Sequence, residues 1–307
     1  MRILFMGTPE FAVPSLRILL ENSYEVSAVT TAPDKPRGRG QQVSFTPIKE
    51  FALQHHLPVL QPENLRDQKF VDNVRNIAPD LIIVVAFRIL PREVYAIPKL
   101  GSFNLHASLL PKYRGAAPIN WAIINGEQVT GVTTFFLQDK VDTGSILLQT
   151  CVQIDMNDTA GDLHDKLSKA GADIVLKTVR LIECGKTQPY LQDDALSCPA
   201  PKIYKEDCRI DWCKSAQQVH NFIRGLSPHP SAWTTHKGKV IKIFKTKLSE
   251  AQSAKAGVVL QRTNDTLSIG TGNGIVSVLE IQQEGKRRLS VEEFLRGYSI
   301  EPGEMFE

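Results

Sequence analysis

The sequence predicts an α/β protein: a Rossmann-like domain on a mostly parallel sheet, followed by a smaller β-rich domain. Residues 2–6 form an apolar strand-like run, 11–20 carry apolar residues at helical spacing, and 26–31 are strand-like again, which is the order of a βαβ unit. Residues 81–86, LIIVVA, are apolar at successive positions, as in a strand covered on both faces. After residue 205, short β-prone runs separated by Gly and Asn turns favour a small barrel.

The other elements follow in chain order from local signals. Apolar residues at helical spacing predict helices at 47–55, 67–77, 117–125, 159–183, 215–225 and 291–295. β-Prone runs predict strands at 59–60, 102–106, 130–137, 146–154, 232–235, 240–245, 257–261, 266–269 and 274–282. Because periodicity is lost after residue 185 and three prolines follow, we predict an N-terminal domain at 1–187, a linker at 188–205 and a C-terminal domain at 206–307.

The composition argues against several classes of protein. The five cysteines lack tight metal-ligand spacing, which predicts free thiols of a cytoplasmic protein and no metal site. No apolar run approaches the roughly 18 residues of a membrane span, and the GTPE turn at 7–10 interrupts the first apolar run, so no signal peptide is predicted. The same turn lacks the G-x-G-x-x-G pattern, so a dinucleotide is not supported.

Positive charge is concentrated in two places. Residues 202–247 hold ten Lys and Arg against three acids, an excess of seven positive charges in a chain whose net charge is +3. The excess suggests a polyanionic partner, although a solvated lysine-rich surface is an equally open alternative here. In the non-periodic stretch 32–45, Lys35, Arg37 and Arg39 could meet phosphates, and the alternative is a loop that is merely soluble.

A candidate site for carbonyl chemistry lies in residues 101–115. Asn104 and His106 stand two positions apart in a predicted strand, so both side chains point to one face. Asp142, in the polar loop 138–145, supplies a carboxylate. An amide donor, an imidazole and a carboxylate are the groups needed to move an acyl group between nitrogens. The alternatives, a structural Asn-x-His pair and a turn-forming Asp142, stay open on spacing alone.

Two other mechanisms find no support in the residues. No G-x-S-x-G elbow is present, so a covalent acyl-enzyme is not favoured. No H-E-x-x-H or comparable ligand set is present, so metal catalysis is not favoured either.

Several of these segments together resemble the formyltransferases that use 10-formyltetrahydrofolate. The segments are MRILFMGTPEFAVPSL, PDKPRGRG, FNLHASLLPKYRG, TGVTTFFLQDKVDTG, NDTAGDLHDKLS, IDWCKSAQQVHNFIRGLSPHPSAW and EGKRRLSVEEFLRG. The resemblance implies a Rossmann-like formyltransferase domain and a C-terminal barrel of OB type. It implies transfer of a formyl group from the folate N10 to the α-amino group of methionine on initiator tRNA, and we expect a monomer.

The resemblance also implies roles for individual residues. The catalytic set is Asn104, His106 and Asp142. The folate-binding set is the turn Ser108, Leu109, Leu110 and Pro111, with Phe87, Arg88, Ile89 and Leu90 after the buried strand; Arg88 departs from the family, where glycine is frequent. The tRNA-binding set is Lys35, Arg37, Arg39, Lys202, Lys205, Lys237 and Lys239.

Alternatives within and outside this chemistry remain. A glycinamide-ribonucleotide formyltransferase normally lacks a C-terminal barrel, and an amino-sugar formyltransferase normally lacks the basic loop. A catalytically idle nucleic-acid-binding protein of the same fold would not need the intact set of Asn104, His106 and Asp142.

Overall fold

The structure, a computed structural model, describes residues 1–37, 42–249, 255–263 and 265–307, with the side chains of 35–37 and 42–43 left out. Two compact units share the chain. Unit 1 comprises Met1–Gly115, Thr130–Gln153 and His164–Pro199, and unit 2 comprises Ala116–Val129, Ile154–Leu163 and Ala200–Glu307.

The regular elements are numbered in chain order. The helices are α1 (Val13–Glu21), α2 (Pro47–Gln54), α3 (Gln68–Ile77), α4 (Arg92–Tyr95), α5 (Pro118–Ile124), α6 (Ala160–Glu183), α7 (Ala216–Gly225) and α8 (Val291–Gly297). The strands are β1 (Arg2–Gly7), β2 (Glu25–Thr30), β3 (Lys35–Arg37), β4 (Gln42–Ser44), β5 (Val59–Leu60), β6 (Leu81–Val85), β7 (Ser102–His106), β8 (Arg114–Gly115), β9 (Val129–Phe136), β10 (Ile146–Gln153), β11 (Pro199–Ala200), β12 (Ala232–His236), β13 (Lys239–Ser249), β14 (Val259–Arg262), β15 (Leu267–Gly270), β16 (Ile275–Gln283) and β17 (Leu289–Ser290). In the described ranges, no helix is long and apolar enough to cross a membrane.

A seven-stranded sheet forms the centre of unit 1, in the order β10-β9-β7-β6-β1-β2-β5. The neighbours from β7 to β5 pair in parallel, and β9 runs antiparallel to β7. All five residues of β6 are buried, as its unbroken apolar run predicts for a central parallel strand. The predicted α/β class with a mostly parallel sheet is therefore confirmed.

The strand order creates a topological switch point between β1 and β6. From β1 the chain moves outward through β2 to β5, then returns to β6 on the other side of β1. Ligands of open α/β sheets bind outside the carboxyl ends of the strands at such a point. Residue His106 ends β7, and the segment 87–90 follows β6, so both predicted site segments leave the sheet at this edge.

Unit 2 contains an antiparallel sheet in the order β12-β13-β16-β15-β14, with β17 paired to β16. One face packs against apolar residues of α7 and α8, including Val219, Ile223 and Phe294. Helix α7 begins at a capping box in which Ser215 and Gln218 satisfy each other's backbone N–H groups. The β-rich second part predicted from the sequence is thus present as antiparallel strands.

Residues 116–129 and 154–163 belong to unit 2, although the domain boundary predicted at residue 187 places them in the first domain. The Asn120 amide donates to the Gly225 carbonyl at 2.8 Å, and the indole of Trp121 donates to the Pro201 carbonyl at 2.9 Å. The buried Arg224 guanidinium donates to the Asp158 carbonyl at 2.9 Å. These long-range hydrogen bonds join α5 and the segment before α6 to α7 and to Pro201. Periodicity cannot predict them because it reports only local structure.

The stretches 32–45 and 188–205, which the sequence predicts to lack regular structure, each contain short regular elements. Strands β3 and β4 pair antiparallel within 32–45. The predicted linker 188–205 contains a turn of 3₁₀-helix at Asp194–Leu196 and the short strand β11. Both are too short to leave a periodic signal in the sequence.

Acid is expected to destabilise unit 2 through His220. This side chain is buried and its Nδ1 lies 2.9 Å from the Thr246 hydroxyl. Burial, and next the charge of Arg224, lower the pKa of His220 below its ordinary value of 6.5. Between that lowered pKa and 6.5 the unfolded chain binds more protons, so the stabilisation is complete above about pH 6.5 and is lost as the pH falls through the folded-state pKa.

Urea unfolding at about pH 7.5 and about pH 5.5 measures this effect. The wild type should lose more stability between these two values than His220→Gln, which cannot titrate. The matched control is His229→Gln, since His229 is an exposed histidine of the same unit. An equal loss in the wild type and in His220→Gln would contradict the expectation.

Candidate active site

Strand β7 presents Asn104 and His106 at the carboxyl edge of the sheet. Asn104 pairs with Val84 of β6 on one side and with Phe135 of β9 on the other, so its backbone is held within the sheet. Alternation along the strand sends the two side chains to one face. His106 is only 6% exposed, whereas Asn104 is half-buried.

The His106 ring has one nitrogen occupied and one available. Nε2 lies 2.8 Å from the carbonyl oxygen of Tyr113, and because a carbonyl only accepts, Nε2 carries the hydrogen and donates. Nδ1 faces the Asp142 carboxylate, with 3.8 Å between Nδ1 and Oδ2. This distance exceeds a hydrogen bond, so Nδ1 is the ring nitrogen left to exchange protons with a reacting group.

Asp142 is held in a conformation that few non-glycine residues adopt. Its φ is 55°, in the left-handed region. Its Oδ2 accepts a hydrogen bond of 3.0 Å from the backbone N–H of Gly115. Gly144, two residues on, has no room for a side chain, because a Cβ there would lie 1.6 Å from the Phe136 carbonyl oxygen. The Asp-Thr-Gly sequence therefore meets both a conformational and a steric requirement of this loop.

The amide of Asn104 has no hydrogen-bond partner within the described part of the chain. A half-buried amide without an internal partner remains available to a ligand. The structure thus brings His106 and Asp142 together across 36 residues of sequence, and in the part of the chain that the structure describes the Asn104 amide on the same face of β7 remains available as a donor. Such a set can supply a donor for an oxyanion and a route for a proton.

The turn at 108–111, predicted to bind folate, is held by several hydrogen bonds. Ser108 is fully buried, and its hydroxyl donates to the Lys112 carbonyl at 2.6 Å. The hydroxyl of Thr133 donates to the Ser108 carbonyl at 2.7 Å and accepts from the Leu110 N–H at 3.1 Å. Leu110 is buried as well, whereas Leu109 and Pro111 are half-buried. Ser108 and Leu110 therefore shape the turn, and Leu109 and Pro111 keep accessible surface.

The segment after β6 forms one wall of a cleft. The cleft has a volume of about 610 Å³, and its lining includes Arg88, Ile89 and Leu90 of the predicted folate set. Ile89 is 74% exposed and Leu90 is 7% exposed. Phe87, the remaining member, stacks under the Arg88 guanidinium at 5.3 Å.

Arg88, the residue that departs from the family pattern, forms hydrogen bonds with a second segment that lines this cleft. Its two terminal nitrogens donate to the carbonyls of Pro62 and Glu63, at 2.6 and 2.8 Å. Burial lowers the pKa of Arg88 below its ordinary value. The side chain thus ties the segment 87–90 to the segment that precedes α3.

The basic residues predicted to meet RNA differ in their surroundings. Lys205 lies 3.4 Å from Glu284, and Lys237 lies 2.6 Å from Glu304. The hydrogen bond from Lys237 is the main cause that lowers the pKa of Glu304 to about 2. These two lysines are therefore partly neutralised by acids of unit 2.

Lys202 and Lys239 instead lie over aromatic rings. Their Nζ atoms are 5.0 Å from the Tyr204 ring centre and 5.3 Å from the Tyr298 ring centre. Both lysines are exposed. Arg224 contributes to the sequence excess of positive charge but is buried, so that excess overstates the charge on the surface.

The remaining predicted RNA contacts belong to the stretch 32–45. Lys35 and Arg37 lie in β3, and Arg39 lies outside the described residues. Across the described ranges, no group of three or more His, Cys, Asp or Glu side chains is arranged to hold a metal ion.

Comparison with known proteins gives a family for the whole chain. The Formyl transferase model matches residues 1–179, and the model of the Formyl transferase C-terminal domain matches residues 202–299. The methionyl-tRNA formyltransferase of Clostridioides difficile is 45% identical over 305 residues, which cover 99% of each chain. That of Bacteroides thetaiotaomicron is 48% identical, over 99% of this chain and 97% of its own. The chain belongs to the methionyl-tRNA formyltransferase family.

Solved structures of more distant proteins share the fold. WlaRD, a sugar 3N-formyl transferase, superposes with a TM-score of 0.68 at 24% identity, over 94% of this chain and 99% of its own. HypX from Aquifex aeolicus, in complex with tetrahydrofolic acid, gives a TM-score of 0.67 at 21% identity and covers all of this chain. This formyltransferase spans about half of the HypX chain, 51%.

Three residues to which the sequence assigns no role support the candidate site of this formyltransferase. The Tyr113 carbonyl orients His106, while Arg114 and Gln192 hold the loop that carries Asp142. Tyr113 and Arg114 lie in the same motif as His106 but had no assigned role. Gln192 lies in the predicted linker, where no local signal points to a site.

Proposed function

We propose that this formyltransferase transfers the formyl group of 10-formyltetrahydrofolate to the α-amino group of methionine on initiator tRNA. The observation that carries the proposal is the facing pair of His106 Nδ1 and Asp142 Oδ2, 3.8 Å apart, with Asn104 on the same face of β7 as His106. Relatives that carry the name methionyl-tRNA formyltransferase match the chain at 45% and 48% identity over nearly its full length, which supports this substrate pair.

In the proposed reaction, the methionine amine bonds to the formyl carbon, the bond from that carbon to N10 breaks, and a proton moves from the amine to N10. The Asn104 amide donates to the oxyanion of the tetrahedral intermediate, where negative charge develops. His106, through Nδ1, and Asp142 carry the proton between the two nitrogens. The hydrogen bond from Nε2 to Tyr113 keeps the ring oriented for this transfer.

The folate is proposed to bind along the carboxyl edge of the unit 1 sheet. Its contacts are assigned to Phe87, Arg88, Ile89 and Leu90 on one side and to the turn Ser108, Leu109, Leu110 and Pro111 on the other. The cleft of about 610 Å³ beside Arg88–Leu90 is large enough for part of a drug-sized ligand. Exposed Ile89 offers apolar surface to an aromatic ring system.

The tRNA is proposed to contact Lys35, Arg37 and Arg39 in unit 1 and Lys202, Lys205, Lys237 and Lys239 in unit 2. Exposed lysines suit a phosphate backbone. The antiparallel strands of unit 2 are proposed to form a barrel of OB type, a fold that binds oligonucleotides. We also propose a cytoplasmic monomer with the domain boundaries 1–187, 188–205 and 206–307.

Transfer of labelled formyl from 10-formyltetrahydrofolate tests the proposed function directly. We expect label on the methionine of charged initiator tRNA and none on free methionine, glycinamide ribonucleotide or a nucleotide-linked amino sugar. Uncharged initiator tRNA is the control for the acceptor amine. Label on one of the small acceptors instead would identify a different formyltransferase and contradict the proposal.

Binding of tRNA is expected to depend on salt through Lys202 and Lys239, the two exposed lysines that lie over aromatic rings. Lys239→Ala should weaken binding and reduce the slope of log K against log salt by about 1, because one phosphate contact and its counterion release are lost. The matched control is Lys177→Ala, an exposed lysine of α6 outside the proposed surface. Filter binding over a salt series measures both slopes, and an unchanged slope in Lys239→Ala would remove this residue from the interface.

A further inference from the structure

Gln192, within the predicted linker, contacts the loop that carries Asp142. Its Nε2 donates to the carbonyl of Asp142 and to the carbonyl of Gly144, both at 2.9 Å. One amide group therefore satisfies two backbone acceptors on either side of Thr143. Asp142 adopts a left-handed φ of 55°, and backbone carbonyls shielded from water need a hydrogen-bond donor.

Arg114 fixes Gln192 in turn. Its Nε and Nη2 donate to the Gln192 Oε1 at 3.1 and 2.7 Å, and Nη2 also lies 2.7 Å from the Asp194 carboxylate. The Arg114 side chain is 14% exposed, so the forked contact is largely shielded from water. With its oxygen occupied by Arg114, the Gln192 amide can present only its NH₂ group to the loop, which fixes its orientation.

These contacts hold both the side chain and the main chain of Asp142. Gly115, the residue after Arg114, donates its N–H to Asp142 Oδ2 at 3.0 Å. The backbone at 114–115 therefore holds the side chain of Asp142, while the Arg114 side chain, through Gln192, holds its main chain. The side chain and the main chain of Asp142 are thus both held from the short strand β8, eight and nine residues after His106.

We infer that Gln192 is a positioning residue for formyl transfer, which acts by holding Asp142 at its distance from His106. The inference rests on the proposed function, since it assigns Gln192 a part in the chemistry only through Asp142. A shift of about 1 Å in a catalytic group can cost about 10²-fold in rate. The two amide hydrogen bonds restrain the main chain on both sides of Thr143, next to the left-handed Asp142.

Gln192→Met removes both sets of hydrogen bonds and keeps the length of the side chain. We expect it to slow single-turnover transfer by about 10- to 100-fold, with little change in KM for either substrate. The pH–rate profile should change as it does in Asp142→Asn. Gln153→Met, the same change at an exposed glutamine of β10, is the matched control and should transfer as the wild type does.

Gln192→Glu separates positioning from simple stabilisation, and also serves if Gln192→Met folds poorly. Glutamate keeps the acceptor for Arg114 and adds an ion pair, but it turns oxygen atoms toward the carbonyls of Asp142 and Gly144. If Gln192 only ties Arg114 into the fold, this variant should retain the wild-type rate. If it positions Asp142, transfer should be slowed at least as much as in Gln192→Met while the unfolding midpoint is preserved.

The double variant Gln192→Met with Asp142→Asn gives the decisive comparison. Because Gln192 acts through Asp142, we expect the double variant to be no slower than Asp142→Asn alone. Losses that multiply, or a wild-type rate in both Gln192 variants, would overturn the inference and leave the proposed function intact. A wild-type rate in Asp142→Asn would overturn the catalytic assignment of Asp142 and the inference with it. If the wild-type protein transferred no formyl group to charged tRNA, the proposed function itself would be overturned.

Discussion

His106→Ala is expected to lower the single-turnover rate of formyl transfer by about 10²- to 10⁴-fold. The ring donates through Nε2 to the Tyr113 carbonyl, which leaves Nδ1 as its one nitrogen for proton exchange. Alanine removes that nitrogen and the imidazole that faces Asp142 at 3.8 Å. Single-turnover measurement is required because product release can limit kcat and hide a slower chemical step.

Two further variants distinguish chemistry from folding in this experiment. His106 is buried, so alanine also leaves a cavity, and the unfolding midpoint must be measured beside the rate. His106→Asn fills more of the space but offers no group that exchanges protons near neutral pH, and it should be slow as well. His55→Ala, at an exposed histidine of unit 1, is the control. A folded His106→Asn with near-wild-type transfer would remove His106 from the mechanism.

Asp142→Asn is expected to lower the same rate by about 10²-fold or more, because the negative charge beside the His106 ring is lost. Asparagine is nearly the same size and tolerates the left-handed φ of 55°. Its oxygen can still accept from the Gly115 N–H. The change therefore removes the charge and keeps the turn, so a loss of rate reports on the chemistry.

The control for this variant is Asp173→Asn, an exposed carboxylate of α6 in the same unit. Equal binding of 10-formyltetrahydrofolate to wild type and Asp142→Asn, measured by calorimetry, would show that the folate site is unchanged. Under that condition, a wild-type rate of transfer in Asp142→Asn would exclude Asp142 from the reaction.

Several parts of the site could be predicted because they are local properties of the chain. Alternation along a strand puts Asn104 and His106 on one face whatever surrounds them. The apolar run of β6 predicts a strand covered on both sides, and all five of its residues are buried. The polar loop 138–145 supplied Asp142 as the candidate carboxylate, the motif resemblance implied its catalytic role, and it lies 3.8 Å from His106, 36 positions earlier in the chain.

Other parts were missed because they depend on contacts between distant segments. The linker prediction treats 188–205 as a connection, yet Gln192 within it donates to the Asp142 loop 50 residues away. The excess of positive charge in 202–247 counts Arg224, which is buried and donates to a backbone carbonyl. Neither the Gln192 contact nor the burial of Arg224 can be predicted from local sequence, because both depend on residues far away in the chain.

By itself, the sequence determined the alternation of strands and helices, the face of β7 that carries Asn104 and His106, and, through its motifs, the family. These features follow from backbone geometry and from short-range patterns of apolar and polar residues. Only the tertiary structure decided which nitrogen of His106 is free, which residues hold Asp142, and that 116–129 and 154–163 belong to unit 2. Those outcomes depend on hydrogen bonds and packing between residues far apart in the chain, and such contacts exist only once the core has formed.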